Sequence, residues 1–226
     1  MRKVKAIILA GGRGKRLRPI TDYVPKSLVP LNNVPIIDWQ IKYLKKFNVD
    51  EIIICTGYKT KMIQHFLHMK DNFGIKLKFS VEKTPLGTGG AIKKAGKMIK
   101  DKSFFVLNGD VITNIDLNEL LKKPNSIAAI ELRTKFGIME TKNDKVTRFK
   151  EKEAISDVWM NAGIYHIQKK ILQDLPQKGD IEKTLFPEYA KKGLLNTVKF
   201  KKIKWYSVDS FKDMEECSLA ISKIIK

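Results

Sequence analysis

Short apolar runs alternate with amphipathic stretches along this chain, and each switch marks a change of element. Val4 to Leu9 (VKAIIL) is a compact β-rich run halted by Gly11-Gly12. From Ile36 to Phe47 the apolar residues Ile36, Ile37, Ile41, Tyr43, Leu44 and Phe47 fall mostly three or four apart, the spacing of one helical face. Glu51 to Thr56 (EIIICT) reads as a buried strand closed by Gly57, and Lys61 to Met69 returns to helical spacing through Ile63, Phe66 and Leu67. A strand at Lys76 to Val81, a helix from Gly89 to Ile99 and a strand at Ser103 to Asn108 continue the rhythm. Repeated strand-then-helix rounds predict a mostly parallel sheet covered on both faces.

Beyond Leu117 the rhythm changes. Ile127 to Leu132, Gly137 to Thr141 and Val146 to Lys150 read as short strands, the last two joined by a hairpin turn at Lys142-Asn143-Asp144-Lys145. A strand at Trp159 to Ile167 precedes helices near Lys169 to Leu175 and Ile181 to Lys191. The residues around Val198 and from Ile203 to Val208 are extended, and Phe211 to Ile225 is amphipathic and helical. No internal repeat, low-complexity segment or linker interrupts the pattern, so the expectation is one α/β domain over residues 1–226.

Composition narrows the picture. With 226 residues, 43% of them hydrophobic and 30% charged, the chain has the balance of a folded domain, which excludes a disordered or collagenous reading. No apolar run approaches the roughly 18 residues of a membrane span. The basic start leads through a short apolar run into a glycine turn, which does not read as a signal peptide. Cys55 and Cys217 stand far apart with no CxxC or Cys/His spacing, so a reducing cytoplasm is expected, without a disulfide framework or structural zinc site. Lys and Arg total 44 against 24 Asp and Glu, a net charge of +20. Such an excess suggests an anionic partner, but the lysines are spread along the whole chain, as on a solvated surface. There is no zinc finger, RNP-type aromatic motif or continuous basic helix, so neither nucleic acid nor membrane is the expected partner.

In open α/β sheets ligands sit at the carboxyl ends of the strands, which directs attention to the loops there. The first runs Leu9-Ala10-Gly11-Gly12-Arg13-Gly14-Lys15-Arg16-Leu17-Arg18-Pro19. Its three glycines permit a tight turn and close approach of backbone to ligand, and its cations supply countercharge for phosphate. It is not a dinucleotide fingerprint, because Leu17 stands where the third glycine belongs. Nor is it a Walker A loop, because Arg16 follows Gly-Lys where Ser or Thr is needed. Pro25-Lys26 places an ammonium behind a stiffened backbone, suited to holding a phosphate as a point charge. Glu82, before Pro85-Leu86-Gly87-Thr88-Gly89-Gly90, offers carboxylate acceptors that suit the adjacent donors of guanine better than the single ring N–H of uracil or thymine. Asp110, in Asn108-Gly109-Asp110, is a candidate Mg²⁺ ligand beside a phosphate loop. His65, His68 and His166 show no catalytic pairing, and no GxSxG nucleophile motif is present.

Taken together these motifs resemble the sugar-1-phosphate nucleotidyltransferases, the nucleoside-diphosphate-sugar pyrophosphorylases. The pattern is Leu9-Ala10-Gly11-Gly12-x-Gly14-x-Arg16-Leu17-x-Pro19-x-Thr21, Pro25-Lys26, Pro85 to Ala91, Asn108-Gly109-Asp110, Phe149-x-Glu151-Lys152 and Asn161-Ala162-Gly163-Ile164-Tyr165. The resemblance implies a Rossmann-like three-layer sandwich with a mostly parallel mixed sheet, its residues 1–116 binding nucleotide and 117–226 binding the sugar phosphate. It implies an Mg²⁺-dependent reaction of an NTP with a sugar 1-phosphate, releasing pyrophosphate. By the same resemblance Arg16 and Lys26 would be catalytic. Leu9, Ala10, Gly11, Gly12, Gly14, Glu82, Gly87 and Thr88 would meet the nucleotide, and Gly109, Gly137, Glu151, Lys152 and Asn161 the sugar phosphate. Asp110 would bind the metal. The family's second metal carboxylate falls where this chain has Ser207, so Asp209, two positions on, is the candidate ligand in a shifted register. The segment after Glu82 looks most like guanylyltransferases acting on mannose 1-phosphate or heptose 1-phosphate. UTP or dTTP with glucose 1-phosphate remains open, as does a non-catalytic sugar-nucleotide-binding subunit. The β-helix or second domain that many relatives append is not expected here, and a homodimer is compatible with the sequence.

Overall fold

In the run VKAIIL alternate side chains face opposite ways, and the structure buries both sets. Ala6 and Ile8 join one hydrophobic core and Ile7 another, as a strand covered on both faces requires. The computed structural model describes residues 3–134, 136–151, 154–221 and 224. The expected α/β three-layer architecture is what it shows, as a single domain.

The first half contains β1 (Val4–Leu9), the short helix α1 (Ile20–Tyr23), the two-residue strands β2 (Pro30–Leu31) and β3 (Val34–Pro35), α2 (Ile36–Lys45) and β4 (Val49–Thr56). It continues through α3 (Thr60–Met69), β5 (Lys76–Val81), α4 (Gly87–Gly96), β6 (Ser103–Asn108) and β7 (Val111–Thr113). Then come α5 (Leu117–Leu121), β8 (Ser126–Arg133), the hairpin β9 (Gly137–Lys142) and β10 (Lys145–Glu151), and β11 (Ala154–Gln168). The chain closes with α6 (Leu185–Lys191), β12 (Asn196–Phe200), β13 (Trp205–Ser207) and α7 (Phe211–Ala220).

Seven strands form the main sheet in the order β12-β8-β11-β6-β1-β4-β5. Only β11 runs against its neighbours, so the sheet is mixed but mostly parallel. One face is covered by α2, α3, α5 and α7, through Ile37, Ile41, Ile63, Leu67, Leu117 and Cys217. The other is covered by α4, α6 and a 3₁₀ turn at Lys169–Gln173, through Ile92, Ala95, Leu172, Leu185 and Phe186. The order reverses at β1, whose neighbours are β4 and β6. The crevice at a sheet's binding edge opens at such a reversal, between the carboxyl ends of β1 and β6.

Several boundaries differ from expectation. α4 starts at Gly87, two residues early, with Leu86 as its N-cap. The helix expected from Ile181 begins at Leu185, the preceding residues forming turns, and the one expected at Lys169 is 3₁₀. β11 starts at Ala154, and α7 is helical from Phe211 to Ala220, with Ile225 outside the described residues. β7 and α5 were not expected at all. Val111-Ile112-Thr113 is too short to show a period, and its partner β13 lies far along the chain.

Candidate active site

The loop after β1 leaves the sheet between β4 and β6. Ala10 donates to Cys55 O, and Gly109, after β6, donates to Leu9 O, which ties both loops to the crevice. The N–H groups of Gly11, Gly12 and Arg13 find no backbone acceptor among the described residues. Gly14 turns the chain with φ +61°, and a Cβ there would meet the Lys26 Cβ at 3.0 Å. The absence of that Cβ lets the Lys26 stem lie against the loop, and Thr21 Oγ1 closes the turn by donating to Gly14 O at 2.9 Å. Lys26 follows buried Pro25 and opens a 3₁₀ turn, so its direction is set by rigid backbone.

Four charged side chains meet here. Lys26 Nζ lies 2.6 Å from Asp110 Oδ2 and 2.7 Å from Asp209 Oδ1, and Arg16 donates to that same Asp209 oxygen at 2.7 Å. Lys26 is 14% exposed, the two carboxylates about a quarter exposed and Arg16 75% exposed. Ser207 Oγ donates to the other Asp209 oxygen at 3.0 Å. Burial pushes the Asp209 carboxyl up, but its bonds to Lys26 and Ser207 and the charge of Arg16 outweigh this and hold it below the ordinary carboxylate range. A cleft of about 250 Å³ is lined by Leu9, Ala10, Gly12, Gly14, Lys26 and Asp110 with their neighbours.

Backbone pairing brings the two carboxylates together. β13 runs antiparallel to β7 with Ser207 opposite Val111, and Val208 donates to Asp110 O at 3.0 Å. Asp209 continues directly beyond this ribbon. Its own N–H donates to Asp213 Oδ2, which also accepts from the Ser210 hydroxyl capping α7. Asp209 thus occupies the centre although Ser207 stands at the expected position, and Ser207 orients it.

Glu82, expected to meet the nucleotide, lies beside Gly11 in the first loop. Its Oε2 accepts the Leu86 N–H at 3.0 Å, and a Cβ on Gly11 would meet Oε1 at 3.3 Å. One of the roughly four acceptor positions of the carboxylate is therefore taken by the protein. Gly87 and Thr88 are packed against another part of the chain. Gly87, at φ +74°, lies so close to the Gly179 backbone that a Cβ would meet it at 2.6 Å. The Thr88 hydroxyl donates to Glu182 Oε2 at 2.6 Å and accepts from the Ile181 N–H at 2.9 Å.

Of the residues expected to meet the sugar phosphate, Gly109 lines the cleft, where its approach to Leu9 O leaves no room for a Cβ. Gly137 and Glu151 pair with each other at the base of the β9–β10 hairpin. Asn161 is committed to the protein: its Nδ2 donates to Tyr165 Oη at 2.9 Å and its Oδ1 accepts the Gly163 N–H at 2.8 Å. These three do not line the cleft, and Lys152 lies outside the described residues. A second cavity, of about 600 Å³, adjoins it across the Arg16–Asp209 pair and is lined by Glu131, Arg133, Trp205 and Tyr206 among others.

Gln40 was missed. It is buried on α2, and its Nε2 donates to Asn108 O at 2.8 Å and Val111 O at 3.0 Å, so it grips both ends of the turn that carries Asp110. The signal was present: a glutamine inside the apolar stripe Ile36-Ile37-Trp39-Ile41-Leu44 needs a buried partner.

Asp110 and Asp209 suit a divalent ion of the oxygen-preferring kind. Their oxygens converge on one point already taken by a cation, and Mg²⁺ takes one or two carboxylates and completes its shell with phosphate and water. Among the described residues no cluster of three or more His, Cys, Asp or Glu could hold a metal without such help.

Residues 5–224 match the family described as nucleotidyl transferase. A D-glycero-alpha-D-manno-heptose 1-phosphate guanylyltransferase of Campylobacter jejuni is 39% identical over 83% of this chain and 87% of its own length. The mannose-1-phosphate guanylyltransferase catalytic subunit beta of Danio rerio is 32% identical over 93% of this chain and 62% of its own. Among solved structures, HddC from Yersinia pseudotuberculosis complexed with GMP-PN superposes with a TM-score of 0.76 at 27% identity, covering 96% of this chain and 99% of that one.

Proposed function

Because the chain belongs to the nucleotidyl transferase family and is a sugar-1-phosphate nucleotidyltransferase, we propose that its nucleotide is GTP, its sugar a manno-configured hexose or heptose 1-phosphate, and its metal Mg²⁺. The observation that carries this reading is the meeting of Arg16, Lys26, Asp110 and Asp209 in one cleft at the sheet's reversal point. The guanine preference rests on the relatives' substrates and on the acceptors Glu82 still presents beside Gly11. We place the reaction in the cytoplasm, where the buried free thiols of Cys55 and Cys217 would stay reduced.

In the reaction an oxygen of the sugar phosphate attacks the α-phosphorus of GTP, and the bond from that phosphorus to the bridging oxygen of the β-phosphate breaks. GDP-sugar and pyrophosphate result. Such chemistry needs alignment and charge neutralisation more than proton transfer. The free N–H groups of Gly11, Gly12 and Arg13 would hold phosphate oxygens, and exposed Arg16 would bind the β- and γ-phosphates and stabilise the leaving group. Lys26 would draw the sugar phosphate and the α-phosphate together, offsetting the repulsion between two anions. Asp110 and Asp209 would hold Mg²⁺, which when bound withdraws charge from the phosphate oxygens. Gln40 and Ser207 fix the two carboxylates.

The test is pyrophosphate release with Mg²⁺ from GTP, UTP or dTTP, each paired with heptose, mannose or glucose 1-phosphate. GTP with a manno-configured sugar should turn over fastest. Faster turnover of UTP or dTTP with glucose 1-phosphate would overturn the specificity, and no turnover with any pair would reject the reading altogether.

A further inference from the structure

The Lys26 ammonium sits between the two carboxylates that a metal would use. It is 2.6 Å from Asp110 Oδ2 and 2.7 Å from Asp209 Oδ1, and Arg16 shares the latter oxygen. Two cations and two anions make this cluster neutral, and Ser207 occupies the remaining Asp209 oxygen. A divalent ion arriving alone meets no net negative charge on these four side chains and finds the converging oxygens bonded to an ammonium. Among the described residues no third carboxylate, histidine or cysteine joins these two as a ligand, which leaves fewer than an all-protein site for Mg²⁺ needs.

A triphosphate changes the balance. It is strongly anionic, supplies oxygen ligands of its own, and competes with Asp110 and Asp209 for Lys26 and Arg16. The lysine is built to move: its stem lies against Gly14, while the ammonium at the end of a four-carbon chain can turn to a new partner. The backbones that carry the carboxylates are held in place by Val208 N–H on Asp110 O and by Asp213 on the Asp209 N–H.

We propose that Lys26 is the resident cation of the unliganded centre, and that Asp110 and Asp209 take a divalent metal only when a triphosphate draws Lys26 away. The proposal rests on the reading of Asp110 and Asp209 as the metal carboxylates. Metal and nucleotide then bind with positive coupling, each raising the other's affinity by the same factor. One lysine performs two tasks in sequence, holding the metal's place and then holding the substrates.

Mn²⁺ binding, followed by electron paramagnetic resonance without sugar phosphate, tests this. Wild-type protein should bind Mn²⁺ weakly alone and more tightly with a non-hydrolysable triphosphate. Lys26→Met should bind Mn²⁺ alone about tenfold or more tighter than wild type, since the competing charge is gone. Lys26→Gln, which keeps a polar head, should do the same if the Met variant fails to fold. Equal Mn²⁺ affinity in wild type and both folded variants, or no effect of triphosphate on the wild type, would overturn the proposal. Adding Asp110→Asn to Lys26→Met should abolish the gain. A gain that survives it would instead overturn the assignment of Asp110 as a ligand.

Discussion

Two glycine-rich runs open onto the binding edge of this sheet, Gly11-Gly12-Arg13-Gly14 and Gly87-Thr88-Gly89-Gly90, and they read alike in sequence. In the first, nothing lies within 4 Å of where a Gly12 Cβ would be, so the missing side chain leaves room for something that is not protein. In the second, the space belongs to the chain itself. A Cβ on Gly87 would meet the Gly179 backbone at 2.6 Å, and one on Gly90 would meet Gln177 O at 2.6 Å. Thr88 binds Ile181 and Glu182, and Glu182 goes on to the hydroxyl of Tyr165. One run is open to a ligand and the other bolts the segment around Gly179 onto the start of α4. Glycine marks close approach in both, without saying what approaches.

Substitutions can break or sharpen the contrast. The largest effect on stability is expected from Gly87→Ala, where φ is +74° and the Gly179 backbone cannot yield. Strain and overpacking together should cost about 2–5 kcal/mol, read as a lower melting temperature. Thr88→Val should come next, at roughly 1–3 kcal/mol, because Ile181 N–H and the Glu182 carboxylate each lose a partner. Gly12→Ala should change stability least, within about 0.5 kcal/mol, since its Cβ meets nothing. Its effect should fall on the KM for nucleotide, which rises if the methyl group enters space that the proposed phosphate site uses. A Gly12→Ala variant that melts early with an unchanged KM would erase the distinction.

Much of the fold was legible because its strands are buried on both faces. VKAIIL and SFFVLN were bounded correctly at both ends, since apolar runs between turn residues leave little choice, and so was the edge strand KLKFSV, whose polar and apolar residues alternate. β7 was not legible, because three residues carry no period and its existence depends on the distant β13. α5 was within reach. Asp116 caps it by accepting the Asn118 N–H, and Asp116 with Glu119 is a helix-start signature that went unread. At the site, the meeting of Arg16, Lys26, Asp110 and Asp209 was legible from motif order. The commitments of Thr88 and Asn161 were not, because Glu182 and Tyr165 reach them only in the folded chain.

The ribbon of β7 and β13 carries an implication for how the enzyme comes into being. Asp110 leaves the ribosome well before Asp209, and only when Trp205 to Ser207 have emerged and zipped against Val111 to Thr113 do the acidic pair stand together. A nascent or clipped polypeptide stopping short of Trp205 would carry the glycines of the first loop and Asp110 without Asp209. Bringing the two carboxylates together therefore waits on one late step of synthesis, the pairing of β13 with β7.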